Sequence, residues 1–214
     1  MEFVNYAAMA MSMAMAFKCD SVTQKAVFAV IIAFMIVGDI AMISDGAARV
    51  IRYIFNPALL IAVNAFIFVT IVWMGKTDFL AGYGIDTTFH GRRHIWDMAI
   101  SWIHASPLYG SGFETVAVKS QKIYGYAHCH CWFLEVPYMT GIVGAIICIL
   151  MIAAVIVALF RMKRHGLSYI LSGMLFAMCL TNTFETYGVP FFLLGLALIY
   201  YGAKCEDSIA AAGA

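Results

Sequence analysis

The sequence predicts an all-α fold: a polytopic membrane helix bundle of about six transmembrane helices, with one long polar loop at 75–132 that contains an interfacial helix. Three observations carry this expectation. Of 214 residues, 64% are hydrophobic and 12% charged, whereas an average soluble domain is about 25% charged. A soluble chain of this size has no interior large enough for so much apolar surface, so lipid is its natural solvent. Apolar runs of span length recur along the chain, and the polar, glycine-rich residues gather in one segment. The formal net charge of +1 gives no basic surplus of the kind that marks a nucleic-acid partner.

A span needs about 20 mainly apolar residues to cross about 30 Å of hydrocarbon. That ruler predicts spans near 2–17, 26–43, 57–74, 133–160, 168–184 and 188–203, all in one membrane domain. Helices are expected throughout, because a backbone amide in lipid must find its partner within its own segment. The fourth span is long enough to tilt, and Pro137 is expected to bend its outer end. The first run lacks the basic start and small-residue cleavage site of a signal peptide and is expected to be retained. Its Met9, Met11, Met13 and Met15 read as apolar filling of a span ahead of a metal-handling tract. Cys19, Cys148 and Cys179 lie in or beside apolar runs, as small hydrophobes do, and the six cysteines have no framework spacing.

The basic turn Arg161–His165 argues for a cytoplasmic position. Ser44–Arg52 and both termini then lie on the same side, with the 75–132 loop outside. Lys76, Arg92, Arg93, Lys119 and Lys122 in that loop pull the other way.

Within the loop, Arg92–His104 carries apolar residues at 95, 96, 99, 100, 102 and 103. The spacing makes one helix face, and Trp96 with Trp102 suits a helix lying in the membrane–water boundary. Its first turn holds Arg92, Arg93 and His94. A second cluster, Tyr124–Trp132, precedes the fourth span and holds His128, Cys129, His130 and Cys131. Arginine donates two parallel hydrogen bonds to a phosphate, and histidine transfers protons near neutral pH. An anionic headgroup at the mouth of the bundle is therefore one reading. Plain lipid-phosphate contacts for Arg92 and Arg93, and structural roles for His128 and His130, are the others. In an extended segment the two histidines share one side and reach toward one metal ion, but no second pair of soft ligands lies nearby. Asp39 is the clearest ionisable residue at mid-span depth and keeps a small transporter or metal-binding membrane protein as an alternative.

Three motifs in order carry a family resemblance: Gly91-Arg92-Arg93-His94-Ile95-Trp96, Pro107-Leu108-Tyr109-Gly110-Ser111-Gly112, and His130 eleven residues before Gly141-Ile142-Val143-Gly144. Together over about 55 residues they resemble the O-antigen ligase and polymerase family. The resemblance implies a glycosyltransferase of the bacterial inner membrane with its active face periplasmic. Such an enzyme moves a glycan from an undecaprenyl-diphosphate-linked donor to lipid A–core, or to another carrier-linked repeat unit. It implies catalytic roles for Arg92, as a clamp on the diphosphate, and His130, as a base for the acceptor hydroxyl or a partner of the leaving group. Arg93, His128 and Glu185 are then substrate-binding candidates, and neither metal nor other cofactor is required. Two features depart from the family: Cys131 stands where asparagine is usual, and the family has ten or more spans. An inactive truncated member, or a half completed by a partner subunit that supplies further helices, is therefore carried as an expectation beside the active enzyme.

Overall fold

The computed structural model describes residues 22–43, 46, 51, 53, 56–76, 78, 82, 89, 91–123, 125–162, 165–186 and 189–212. Among them the regular structure is entirely helical. In chain order the helices are α1 (Val22–Ile43), α2 (Pro57–Ile67), α3 (Arg92–Ala105), α4 (Val116–Lys122), α5 (Trp132–Arg161), α6 (His165–Phe184) and α7 (Val189–Ala212). A π-helical turn, Phe68–Trp73, continues α2. The run expected to span near 2–17, with its methionines and Cys19, lies outside the described residues.

Among the described residues, two helices are long and apolar enough to cross a membrane, Trp132–Arg161 and Leu167–Phe184. The other apolar stretches, Phe28–Val37, Pro57–Trp73 and Phe191–Cys205, are shorter. The sequence places Asn56 and Pro57 where α2 must begin: the Asn56 carboxamide oxygen accepts from the backbone N–H groups of Ala58 and Leu59 at 2.9 and 3.4 Å. Those amides have no carbonyl in a preceding turn, and proline at the first helical position has none to satisfy.

α6 is the central post. α1 and α2 pack along it, and α7 lies against both α5 and α6. One core cluster joins α5, α6 and α7 through Ile152, Val155, Leu159, Leu175, Phe192, Leu196 and Ile199. Between α2 and α6 a buried polar crosslink adds to the packing, as the Thr183 hydroxyl donates to Asn64 Oδ1 at 3.2 Å. Hydroxyl-to-amide contacts of this kind join helices where the surroundings are apolar.

A second core cluster sits where α3 crosses α5 and the π-turn: Val72, Ile95, Trp96, Ala99, Ile103, Cys129, Cys131, Leu134 and Tyr138. This corrects the expectation of an interfacial helix. The helix forms within a residue of the predicted bounds, but its apolar stripe is buried on protein, and Trp96 is fully enclosed. Trp102 is half-buried and donates its indole N–H to the Lys122 carbonyl at 3.3 Å.

The expected bend at Pro137 also moves. The non-helical residue of α5 is Gly141, at φ 64° and ψ −159°, a region that L side chains avoid. The Pro107–Gly112 turn docks there through its backbone. Ser111 N–H donates to the Tyr138 carbonyl at 2.7 Å, Gly112 N–H to Met139 at 2.9 Å, and Ile142 N–H to the Pro107 carbonyl at 2.8 Å. Carbonyls that an interrupted helix leaves without partners are thereby satisfied. The approach is close enough that a Cβ on Gly141 would strike the Leu108 carbonyl, and one on Gly110 the backbone of Met139 and Thr140.

Candidate functional site

Four elements converge at one place. Gly91, in the left-handed conformation at φ 83°, turns the chain into α3, so that Arg92 occupies the first helical position. Phe89 stacks on Phe184 at 5.8 Å and leans on Trp96 at 5.3 Å, which fastens the start of α3 to the end of α6. The Arg92 guanidinium then donates to the Phe184 carbonyl at 2.5 Å and to Glu185 Oε1 at 2.7 Å. The other Glu185 oxygen lies 3.9 Å from His130 Nδ1. The His128 and His130 rings meet at 4.1 Å, and Tyr126 approaches His130 edge-on at 5.4 Å.

His130 has φ 49°, a left-handed conformation uncommon for residues other than glycine, though histidine adopts it more readily than most. The run from 128 to 131 alternates: Cys129 and Cys131 are fully buried in the core, while the two histidines face the cluster. Nδ1 of both histidines and the Thr186 hydroxyl are enclosed and make no hydrogen bond to the described residues.

Burial raises the Glu185 carboxyl, but the His130 ring and the Arg92 guanidinium outweigh it and hold it below the ordinary carboxylate value. His128 is pushed down, first by burial and then by His130, so it is neutral at pH 7. Burial drives the Cys129 thiol well up and the Cys131 thiol to about 12. Both are protonated thiols, poor nucleophiles and poor metal ligands. Among the described residues no three of His, Cys, Asp and Glu gather as a metal centre.

Of the residues expected in the site, Arg92, His128, His130 and Glu185 come together. Arg93 does not. Its guanidinium donates to the carbonyls of Ile71 and Val72 at 3.1 and 2.9 Å and pairs with Asp97, one turn along α3. It closes the end of the π-turn instead of facing the cluster. Asp39 is exposed on α1 and remote in sequence from the cluster.

The sequence reading missed what holds the histidine loop. Glu135, buried in the first turn of α5, accepts the Cys129 N–H at 2.8 Å and pairs with buried Lys119. The Lys119 ammonium also lies over the Tyr138 ring, at 5.0 Å from its centre. Tyr138 in turn donates to Glu114 at 2.7 Å, and Glu114 pairs with Lys122. A carboxylate at the start of a long apolar run was the available signal, since such a group needs a partner.

Beside the cluster runs an apolar groove of about 640 Å³ between α2, α3, α5 and α6. Phe133, three residues from His130, lines it with Phe68, Pro107, Pro137, Ile142, Ile152 and Ile156.

Known proteins share part of this chain. A model of the O-antigen ligase family matches residues 8–149. The exopolysaccharide production protein ExoQ of Rhizobium meliloti (strain 1021) is 28% identical over 114 residues, covering 47% of this chain and 25% of that relative. The match thus takes in about a quarter of the relative's length. No solved structure matches the chain. Glu185 lies beyond the residues the family model covers, so its place beside Arg92 and His130 is learned from the fold.

Proposed function

The chain belongs to the O-antigen ligase family, and on that premise we propose that it transfers a glycan from an undecaprenyl diphosphate carrier to an acceptor hydroxyl during envelope polysaccharide assembly. The observation that carries the reading is the convergence of Arg92, Glu185, His128 and His130, drawn from three separate stretches of chain, beside an apolar groove. The family match supports a role in membrane polysaccharide assembly. The donor, the acceptor and the residue roles are our inference.

In this reading the acceptor oxygen attacks the anomeric carbon as the bond from that carbon to the diphosphate oxygen breaks. The acceptor proton passes to His130, within whose reach Glu185 lies to stabilise the imidazolium formed. The electron pair leaves on the diphosphate, whose growing charge Arg92 stabilises. Fixed donors in a partly dry site commonly contribute more to such catalysis than any other single effect. Arg92 is already paired with Glu185, so a diphosphate must share or displace that carboxylate. The displaced carboxylate then turns wholly to His130. The groove beside them suits the hydrocarbon of the carrier. Among possible acceptors are lipid A–core and a second carrier-linked repeat unit.

We place the cluster on the periplasmic face of the bacterial inner membrane, in a bundle of about six spans with 75–132 outside. Because the relative is far longer, a partner subunit that supplies further helices is part of the proposal. Expression in cells lacking their own ligase or polymerase tests it. The expected outcome is glycan on core, or lengthened chains, with loss of product in His130→Ala and Arg92→Ala at unchanged membrane levels. Product that survives both substitutions would refute the residue assignment. No product from well-inserted protein in either strain, with or without the upstream genomic region, would favour a non-catalytic member.

A further inference from the structure

α5 changes character at Gly141. Before it, Trp132, Leu134, Glu135 and Tyr138 are buried beneath the histidine loop. After it, Ile142, Val143, Ile146, Ile147, Ile149 and Leu150 are each about half exposed or more. A row of uncovered aliphatic side chains on a helix of span length is a lipid-facing surface. Ile142 is therefore the first residue of the exposed aliphatic row.

The Pro107–Gly112 turn is fastened where that row begins. Its hydrogen bonds run to Tyr138, Met139 and Ile142, on either side of Gly141. Ser106 stiffens it further, since its hydroxyl donates to the Gly110 carbonyl at 2.7 Å. The turn and the residue after it then display three large apolar or aromatic side chains outward: Leu108 is 58% exposed, Tyr109 76% and Phe113 85%. In water this is an unfavourable display. At a bilayer boundary it is a favourable one, because an aromatic ring with a polar tip satisfies both sides.

We propose that Leu108, Tyr109 and Phe113 form a membrane-interface anchor, inserted at the headgroup level of the leaflet on which the Arg92–His130 cluster lies. The role expected of α3 falls instead to the turn that follows it, since α3 spends its own apolar face on the protein core. The anchor fixes the depth of the cluster, because α3 leads directly into the turn and α5 receives it. The proposal rests on reading α5 as a membrane span.

The test places the photoreactive residue p-benzoylphenylalanine, one position at a time, at Tyr109, Phe113, Ile149 and the exposed Gln121 of the full chain. The variants are reconstituted in phosphatidylethanolamine–phosphatidylglycerol vesicles, irradiated and examined by mass spectrometry. Phospholipid adducts are expected at Tyr109, Phe113 and Ile149, in several-fold excess over Gln121. Adducts at Ile149 together with background yields at Tyr109 and Phe113 would overturn the anchor while leaving the span in place. Chain-to-chain crosslinks alone at Tyr109 would overturn it in favour of contact between two copies. Absence of adducts at Ile149 would overturn the span reading and the anchor with it.

Discussion

Replacing Gly141 with alanine separates the docked turn from the helix it interrupts. Gly141 sits at φ 64° and ψ −159°, where an L residue is strained by about 1–3 kcal/mol. The new methyl also meets the Leu108 carbonyl. Relief requires the 107–112 turn to withdraw, which breaks its three backbone hydrogen bonds to α5. Each such bond is worth about 0.5–1.5 kcal/mol net, so the total destabilisation is about 3–6 kcal/mol, allowing for partial relaxation. For a chain of this size that corresponds to a fall in melting temperature on the order of 10 °C. Thermal scanning by fluorescence-detected size exclusion in detergent measures it. Gly202→Ala in α7 is the control: its added Cβ meets only ordinary contact with Leu171 at 3.8 Å. A helix-interior alanine there gains about 0.5–1 kcal/mol from the lower entropy of the unfolded chain. Equal melting temperatures for Gly141→Ala and the parent would refute the reasoning, since strain and docking would then both be absent.

Arg93→Met is expected to lower stability by about 2–4 kcal/mol, because it strips the Ile71 and Val72 carbonyls and Asp97 of their partner. If product formation falls in a preparation as stable as the parent, Arg93 contacts substrate and its bracing role is wrong. Lys119→Met or Glu135→Leu alone leaves one charge buried and is expected to cost about 3–5 kcal/mol. The double substitution restores a large part of that in a denaturation cycle, and strict additivity of the two losses would show that the pair is not coupled. The Glu185 carboxyl is held below its ordinary value of 4.5, so its contribution is full above that pH and fades as pH falls through the lower folded value. Glu185→Gln is accordingly expected to flatten the acid limb of the stability–pH profile below pH 4.5. An acid limb identical to the parent's would exclude Glu185 from the closed pair with Arg92.

The helices were legible because apolar run length is a local property. The expected 133–160 is observed as Trp132–Arg161, and the helix expected at 92–104 as Arg92–Ala105. What the apolar stripe of α3 faces was not legible, since periodicity names a face without naming its partner. Trp96 reads equally well as a boundary residue and as core until α5 is placed against it. The break in α5 was missed for a related reason. Proline is a visible local signal, whereas Gly141 breaks the helix only because a turn some thirty residues earlier supplies the replacement hydrogen bonds. The divergence of Arg92 and Arg93 was accessible in principle, as neighbours on a helix point about 100° apart. Glu185 was noticed as an ionisable group near a span end, but its pairing with Arg92 spans 93 residues and follows from no local pattern.

The break at Gly141 explains how so small a set of helices builds a polar cluster at the edge of an apolar bundle. On the reading of α5 as a span, a continuous helix would carry Glu135 toward the hydrocarbon at high cost. Interrupting the helix lets Trp132–Thr140 pack under α3 and α4, where Lys119 and the Cys129 amide satisfy the carboxylate. Ile142–Arg161 then continues as an apolar rod of 20 residues, about 30 Å long. The apolar groove crosses this joint, lined by Pro137 before it and Ile142 after it, with Pro107 from the docked turn. A ligand with a charged head and a long hydrocarbon tail fits such a division, head toward Arg92 and tail along α5. On the proposed function, the same joint that makes the site buildable also sets where a lipid-linked donor would change from one environment to the other.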